Sequence, residues 1–122
     1  MKQKLINALV GCGFVEGKTL FLHGTLNPNE AYPETFVTFW TDSTEDGAHY
    51  DNKTIAVDWA FSVIIYSANP ATVNTKPNEI RAALKAAGFI PQGKGQDAPS
   101  DEPTHTGWAM DFTIKEYLQS EV

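Results

Sequence analysis

The sequence predicts an α+β fold: a single domain built on a mainly antiparallel sheet of about four strands, with two helices packed on one face, in the order α-β-β-β-α-β. Three observations carry that prediction. The stretch Thr54–Tyr66 alternates, with Ile55, Val57, Trp59, Phe61, Val63 and Ile65 at odd positions and mostly smaller groups between them. Successive strand side chains point to opposite faces, so one face of this strand is large and apolar and must be covered. Thr104–Leu118 alternates too, with Trp108, Met110, Phe112 and Ile114 against His105, Gly107, Ala109, Asp111 and Thr113. Finally, two segments with helical spacing end alike: Ala8-Leu9-x-x-x-Gly13-Phe14 and Ala83-Leu84-x-x-x-Gly88-Phe89. A glycine in the left-handed conformation followed by an apolar residue closing on the last turn is a helix stop. Nothing else in the chain repeats, so a repeated stop is preferred to a duplicated domain.

Taken in order, Lys2–Cys12 reads as a helix with Leu5, Leu9 and Cys12 on one stripe and Ile6 and Val10 beside it. Gly11 and Gly13 stop it. Thr19–His23 is a short strand candidate, and Gly24–Asn29 is a turn rich in Gly, Asn and Pro. After Pro33, the aromatic and β-branched run Glu34–Thr41 reads as a strand. Asp42–Asn52 is polar, acidic and rich in turn formers, and is expected to be the tip of a hairpin. Thr54–Tyr66 then spans roughly 40 Å at about 3.3 Å per residue, which makes it the expected centre of the sheet. Asn69 caps a turn with Pro70 at its first position. A second helix is expected to start near Asn74 or Thr75, with Pro77 in its first turn, and to run to Ala87. Its apolar stripe is Ile80, Ala83, Leu84 and Ala87, and Arg81 and Lys85 lie outside. Ile90–Pro103 is expected to be a long exposed loop, after which Thr104–Leu118 pairs with the central strand.

A chain of 122 residues suits one ordinary domain, and 42% hydrophobic with 20% charged residues is the composition of a folded globular chain. The net charge of −6 argues against a nucleic-acid backbone or an anionic membrane surface as the main partner. No apolar run approaches the length of about 18 residues that a membrane-crossing helix needs. The N-terminal run has neither the apolar core nor the cleavage site of a secretory leader. One cysteine, Cys12, allows no intrachain disulfide and reads as a small buried group. A reducing cytoplasm is therefore the expected place of synthesis.

No catalytic or metal-binding motif is complete in the sequence. Asp42, Thr44, Asp46 and Gly47 follow the first half of a calcium loop, but Lys53 stands where a bidentate Glu is required. His23, His49 and His105 are too dispersed to signal zinc. Gly93-Lys94-Gly95 is too short for a phosphate loop and reads as a flexible linker. Trp40, Trp59 and Trp108 fall on strand positions and are expected to pack in the core. Asp58 interrupts the small even face of the central strand, so that face is either solvated or supplies a partner for it. No cofactor, metal or enzymatic activity is expected.

The Gly88-Phe89 stop, the Gly/Lys loop and the run Asp101-Glu102-Pro103-Thr104-His105-Thr106-Gly107 that opens the last strand resemble small tail proteins of siphophages and prophages of Gram-positive bacteria. The element order over nearly the whole chain is similar to the tail-terminator and tail-completion proteins; the motif likeness covers the last third. The resemblance implies a structural virion protein that forms a ring, commonly a hexamer, caps the tail tube and offers a surface for head–tail joining. Its partners would be itself, the tail tube protein and head–tail connector proteins. Its place would be the virion tail, after assembly in the host cytoplasm. Asp42–Asn52 and Pro91–Pro103 would then make the contacts, through Asp42, Glu45, Asp46, His49, Lys94, Asp97, Asp101 and Glu102, with Asp58 and His105 beside them. Termination, completion and joining are not separated by these residues. The alternative from a different class is a non-viral interaction module that binds a partner along a sheet edge.

Overall fold

A strand with one continuous apolar face must be roofed, and here two helices do it. The computed structural model of the chain describes residues 2–22, 33–50, 53–98 and 104–117, with backbone alone at 22, 46–50 and 53–55. Its elements are α1 (Lys2–Gly11), β1 (Leu20–Leu22), β2 (Thr35–Tyr50), β3 (Lys53–Ser67), α2 (Pro70–Ala86), β4 (Ile90–Pro91), β5 (Gln96–Ala98) and β6 (Thr106–Tyr117). Among the described residues the strands form one sheet in the order β1-β2-β3-β6-β4, with β5 also on β6. The β1–β2 pair is parallel and all other pairs are antiparallel. The α+β class, the mainly antiparallel sheet and the pairing of the two long strands are as predicted, while the strand count exceeds the expected four.

The core lies between the helices and the odd face of β3. Leu5 and Leu9 of α1 and Ile80 and Leu84 of α2 meet Val37, Phe39, Phe61, Val63, Ile65, Met110 and Phe112. Phe61 is fully buried, stacks on Trp59 with centroids 5.7 Å apart, and meets Phe89 edge-on at 6.0 Å. Each such side chain contributes about 1.5–3 kcal/mol relative to an exposed one. Both helix stops form as the repeated signature requires. Phe14 N–H donates to Leu9 O and Gly13 N–H to Val10 O; Phe89 N–H donates to Leu84 O and Gly88 N–H to Lys85 O. This bond pair is the Schellman motif, and Gly13 and Gly88 hold φ of 98° and 99° to make it.

Three expectations are corrected. First, residues 42–50 of the expected hairpin tip are strand rather than loop: β2 continues to Tyr50, the antiparallel register with β3 closes at Tyr50↔Lys53, and Asp51 and Asn52 lie outside the described residues. Polar residues suit this ribbon because β3 pairs the backbone along its inner edge. Second, α2 starts at Pro70, where the Asn69 side chain accepts from Ala71 N–H, so Pro77 sits inside the helix. Pro77 forfeits a helical hydrogen bond, but it is buried on the same stripe as Val73, Ile80 and Leu84. Third, Ile90–Pro103 is not wholly a free loop. Its residues 90–91 and 96–98 pair with β6, and Trp108 Nε1 donates to Lys94 O at 2.9 Å. Gly95, at φ 99°, lets the chain approach so closely that a Cβ there would collide with the Trp108 ring and Ala109 O. Gly93-Lys94-Gly95 is thus a docked turn. The predicted turn Gly24–Asn29 lies outside the described residues.

Candidate interaction surface

With both helices on one face, the other face of the sheet carries no described helix or strand. The registers place Phe36, Tyr66 and Gly107 in one row across it, then Thr38, Ile64 and Ala109, then Trp40, Ser62 and Asp111. At one end this face is aromatic. Phe36 stacks on Tyr66 at 5.2 Å, and the rings of Phe21 and His105 lie within 6.3 Å and 5.8 Å of Phe36. Gly107 is required there, because a Cβ would strike the Tyr66 ring.

Toward the hairpin the face turns acidic, and a β-bulge sets which β2 residues lie on it. The register slips between Thr41 and Ser43, leaving Asp42 as the extra residue. One extra residue reverses which side chains face which side. Up to the bulge, even-numbered β2 residues share the open face; beyond it Ser43 faces with Ala60 and Glu45 with Asp58. Asp42 itself accepts from Trp40 Nε1 at 2.7 Å, and its other oxygen lies 2.6 Å from Ser62 Oγ. Ser62 Oγ is also 2.9 Å from Asp111 Oδ1. Glu45 lies directly opposite Asp58, a like-charge pair, and Lys115 approaches Asp58 from the other side at 3.7 Å. Asp58 is thus half-solvated and loosely paired, a contact worth about 0–1 kcal/mol at such exposure.

The residues expected at a partner interface separate into several places. Asp42, Glu45 and Asp58 share the open face, and Asp46 and His49 lie farther along the same ribbon. Lys94 and Asp97 are exposed at the far sheet edge. His105 is buried: its Nε2 hydrogen goes to Pro33 O at 2.8 Å, and Thr104 Oγ1 sits 2.9 Å from Nδ1, so it clasps the start of β6 to the approach to β2. Asp101 and Glu102 lie outside the described residues. Sequence reasoning missed Ser62, Asp111 and Lys115, which join the face only through the β3–β6 register. It also expected Trp40 in the core, whereas the bulge anchors its ring on the open face. Trp59 and Trp108 do pack against the core.

A separate cavity of about 330 Å³ opens beside the end of α1, lined by Cys12, Phe14, Thr35, Thr72 and Lys76 among others. Lys76 is engaged there: its ammonium donates to Cys12 O at 2.8 Å, pairs with Glu79 at 2.9 Å and lies 5.4 Å from the Phe14 ring centre. Burial pushes the Cys12 thiol up, against the opposing pull of Lys76, so the thiol is held protonated and is a poor nucleophile. Among the described residues no group of three or more His, Cys, Asp or Glu is placed to hold a metal, and no helix is long and apolar enough to cross a membrane.

Fold and surface together define the class: an α+β protein with one sheet, a helical layer on one side and, on the other, a face buried at Phe36, Thr38, Ser62 and Ile64 and acidic and exposed at Asp42, Glu45 and Asp111. Compared with protein-family models and with curated proteins, the sequence matches none.

Proposed function

We propose that this chain is a structural assembly protein of a long-tailed phage or prophage, forming a ring at the end of the tail tube and acting in tail termination or completion and head–tail joining. It would assemble in the bacterial cytoplasm and remain in the virion tail, with itself, the tube protein and connector proteins as partners. The observation that carries the reading is the β2–β3 ribbon. Beyond the β1 register at Val37–Phe39, β2 runs on from Trp40 to Tyr50 with β3 as its only strand partner among the described residues. Such an outer edge offers unpaired backbone groups to another chain, while bulges between Thr41 and Ser43 and around Ala48 keep it from pairing indiscriminately. A ring subunit needs a surface of this kind, reaching beyond its own core.

The same free edge favours the second reading, a non-viral module that accepts an added strand from a partner. Tube growth separates the two. Purified tube protein from the same genome would be polymerised with and without this chain and tube lengths measured by negative-stain microscopy. The proposal expects a terminal ring and arrested growth; unchanged lengths with bare ends would reject it.

A further inference from the structure

The two helices together carry five basic residues, Lys2, Lys4, Lys76, Arg81 and Lys85, and one acidic residue, Glu79. That is a net +4 in a chain of net −6, so the rest of the chain carries −10. Lys2, Lys4 and Lys85 are exposed, whereas Lys76 is engaged by Cys12 O and Glu79 and Arg81 is half-buried, so the accessible positive charge of the helical layer is that of Lys2, Lys4 and Lys85. The open sheet face on the opposite side bears Asp42, Glu45, Asp58 and Asp111 against Lys115. The molecule therefore presents exposed basic groups on the helical layer and exposed acidic groups at the hairpin end of the opposite sheet face, while Phe36, Thr38, Ser62 and Ile64 on that face are buried.

We infer that these two faces are complementary halves of one contact, in which the helical layer of one copy docks on the acidic sheet face of the next. Charge complementarity selects the occupant. Two sheet faces brought together would place Glu45 and Asp58 against their own copies, and two helical layers would oppose their lysines. Only helix-on-sheet joins unlike charges, and like-charge juxtaposition across an interface costs several kcal/mol. Such a contact uses different patches on each subunit, so it is heterologous and propagates until a rotation closes it into a ring. Each side also carries an accessible apolar group: Val10 of α1 is 46% exposed, and Trp40 is half-buried on the sheet face. The inference rests on the self-assembly part of the proposed function and adds which surfaces meet.

The test uses two charge-reversed chains, Lys4→Glu/Lys85→Glu and Glu45→Lys/Asp58→Lys, with mass read by sedimentation velocity at low and high salt. Wild-type assembly is expected to weaken by at least about tenfold in affinity between 50 and 500 mM salt, because surface charges are screened over that range. Each reversed chain alone should remain at the 13.4 kDa of one copy. An equimolar mixture should regain the wild-type assembly, since every contact between the two variants joins unlike faces again. Regained assembly would itself show that both variants fold. If either reversal unfolds the chain, Lys4→Gln/Lys85→Gln and Glu45→Gln/Asp58→Asn replace them, each expected to weaken assembly at low salt. Reversed chains that assemble like wild type would overturn the contact while leaving a ring intact. A mixture that stays monomeric would overturn it too. So would a wild-type chain that is monomeric at every concentration in low salt; the tube-growth experiment would then decide the ring reading separately.

Discussion

The Ser62 hydroxyl carries one hydrogen and faces two carboxylates, Asp42 Oδ2 at 2.6 Å and Asp111 Oδ1 at 2.9 Å. It can donate to only one of them while keeping them apart. Ser62→Ala removes the donor and leaves the carboxylates confronting each other; a loss of about 1–2 kcal/mol is expected in urea unfolding, smaller in high salt. Asp111→Asn retains the shape and removes the repulsion, so it should cost less than Ser62→Ala. The reverse order would show that the hydroxyl bridge is not what holds Asp42 at the bulge. Glycine supplies a second comparison. Gly88 and Gly95 share φ near 99°, but a Cβ at Gly88 meets only ordinary contacts at 3.7 and 3.8 Å, whereas at Gly95 it meets the Trp108 ring and Ala109 O. Gly88→Ala is expected to cost about 1–2 kcal/mol from backbone conformation alone. Gly95→Ala should cost at least about 1 kcal/mol more by overpacking. Equal losses would mean that the 93–95 turn is not docked on β6.

At the scale of elements, what could be read from the sequence was whatever depends on a buried face. β3 and β6 announce themselves by alternation because one side of each is roofed, and the helix stops announce themselves because only glycine meets their φ. The β2 extension shows no such signal: among the described residues no helix roofs it, so its composition carries turn formers and acids where a core strand would carry Val and Ile. Its strand character comes from the register with β3, a long-range property. The early start of α2 was obscured by Pro77, which local propensity places in a first turn but which burial tolerates seven residues into the helix. β4 and β5 are two and three residues long and exist only because β6 offers an edge. The acidic face was half legible. Asp58 stood out as a charge on a small apolar face, but its neighbours could not be named before the bulge at Asp42 and the β3–β6 register set which residues share that side. These differences have a measurable consequence. Amides of β3 from Phe61 to Ile65 lie between β2 and β6 under both helices and are expected to exchange slowest. Amides of β2 from Ser43 to Tyr50 should exchange at least about tenfold faster yet still show protection. Random-coil exchange over 43–50 would contradict the ribbon.

Across the whole molecule, the core accounts for one face of the sheet and leaves the other to be explained. An acidic sheet face, basic groups on the helical layer and a ribbon extending past β1 are the surfaces that the proposed ring subunit would use. The charge asymmetry also makes assembly sensitive to conditions: it should be favoured at low ionic strength and at high subunit concentration. The most direct test of the central claim is the mass of the protein in solution, measured by light scattering over a concentration series with and without tail tube protein from the same genome. A discrete closed oligomer is expected, alone or once tube is present. A chain that remains at 13.4 kDa at every concentration, and ignores the tube, would contradict it.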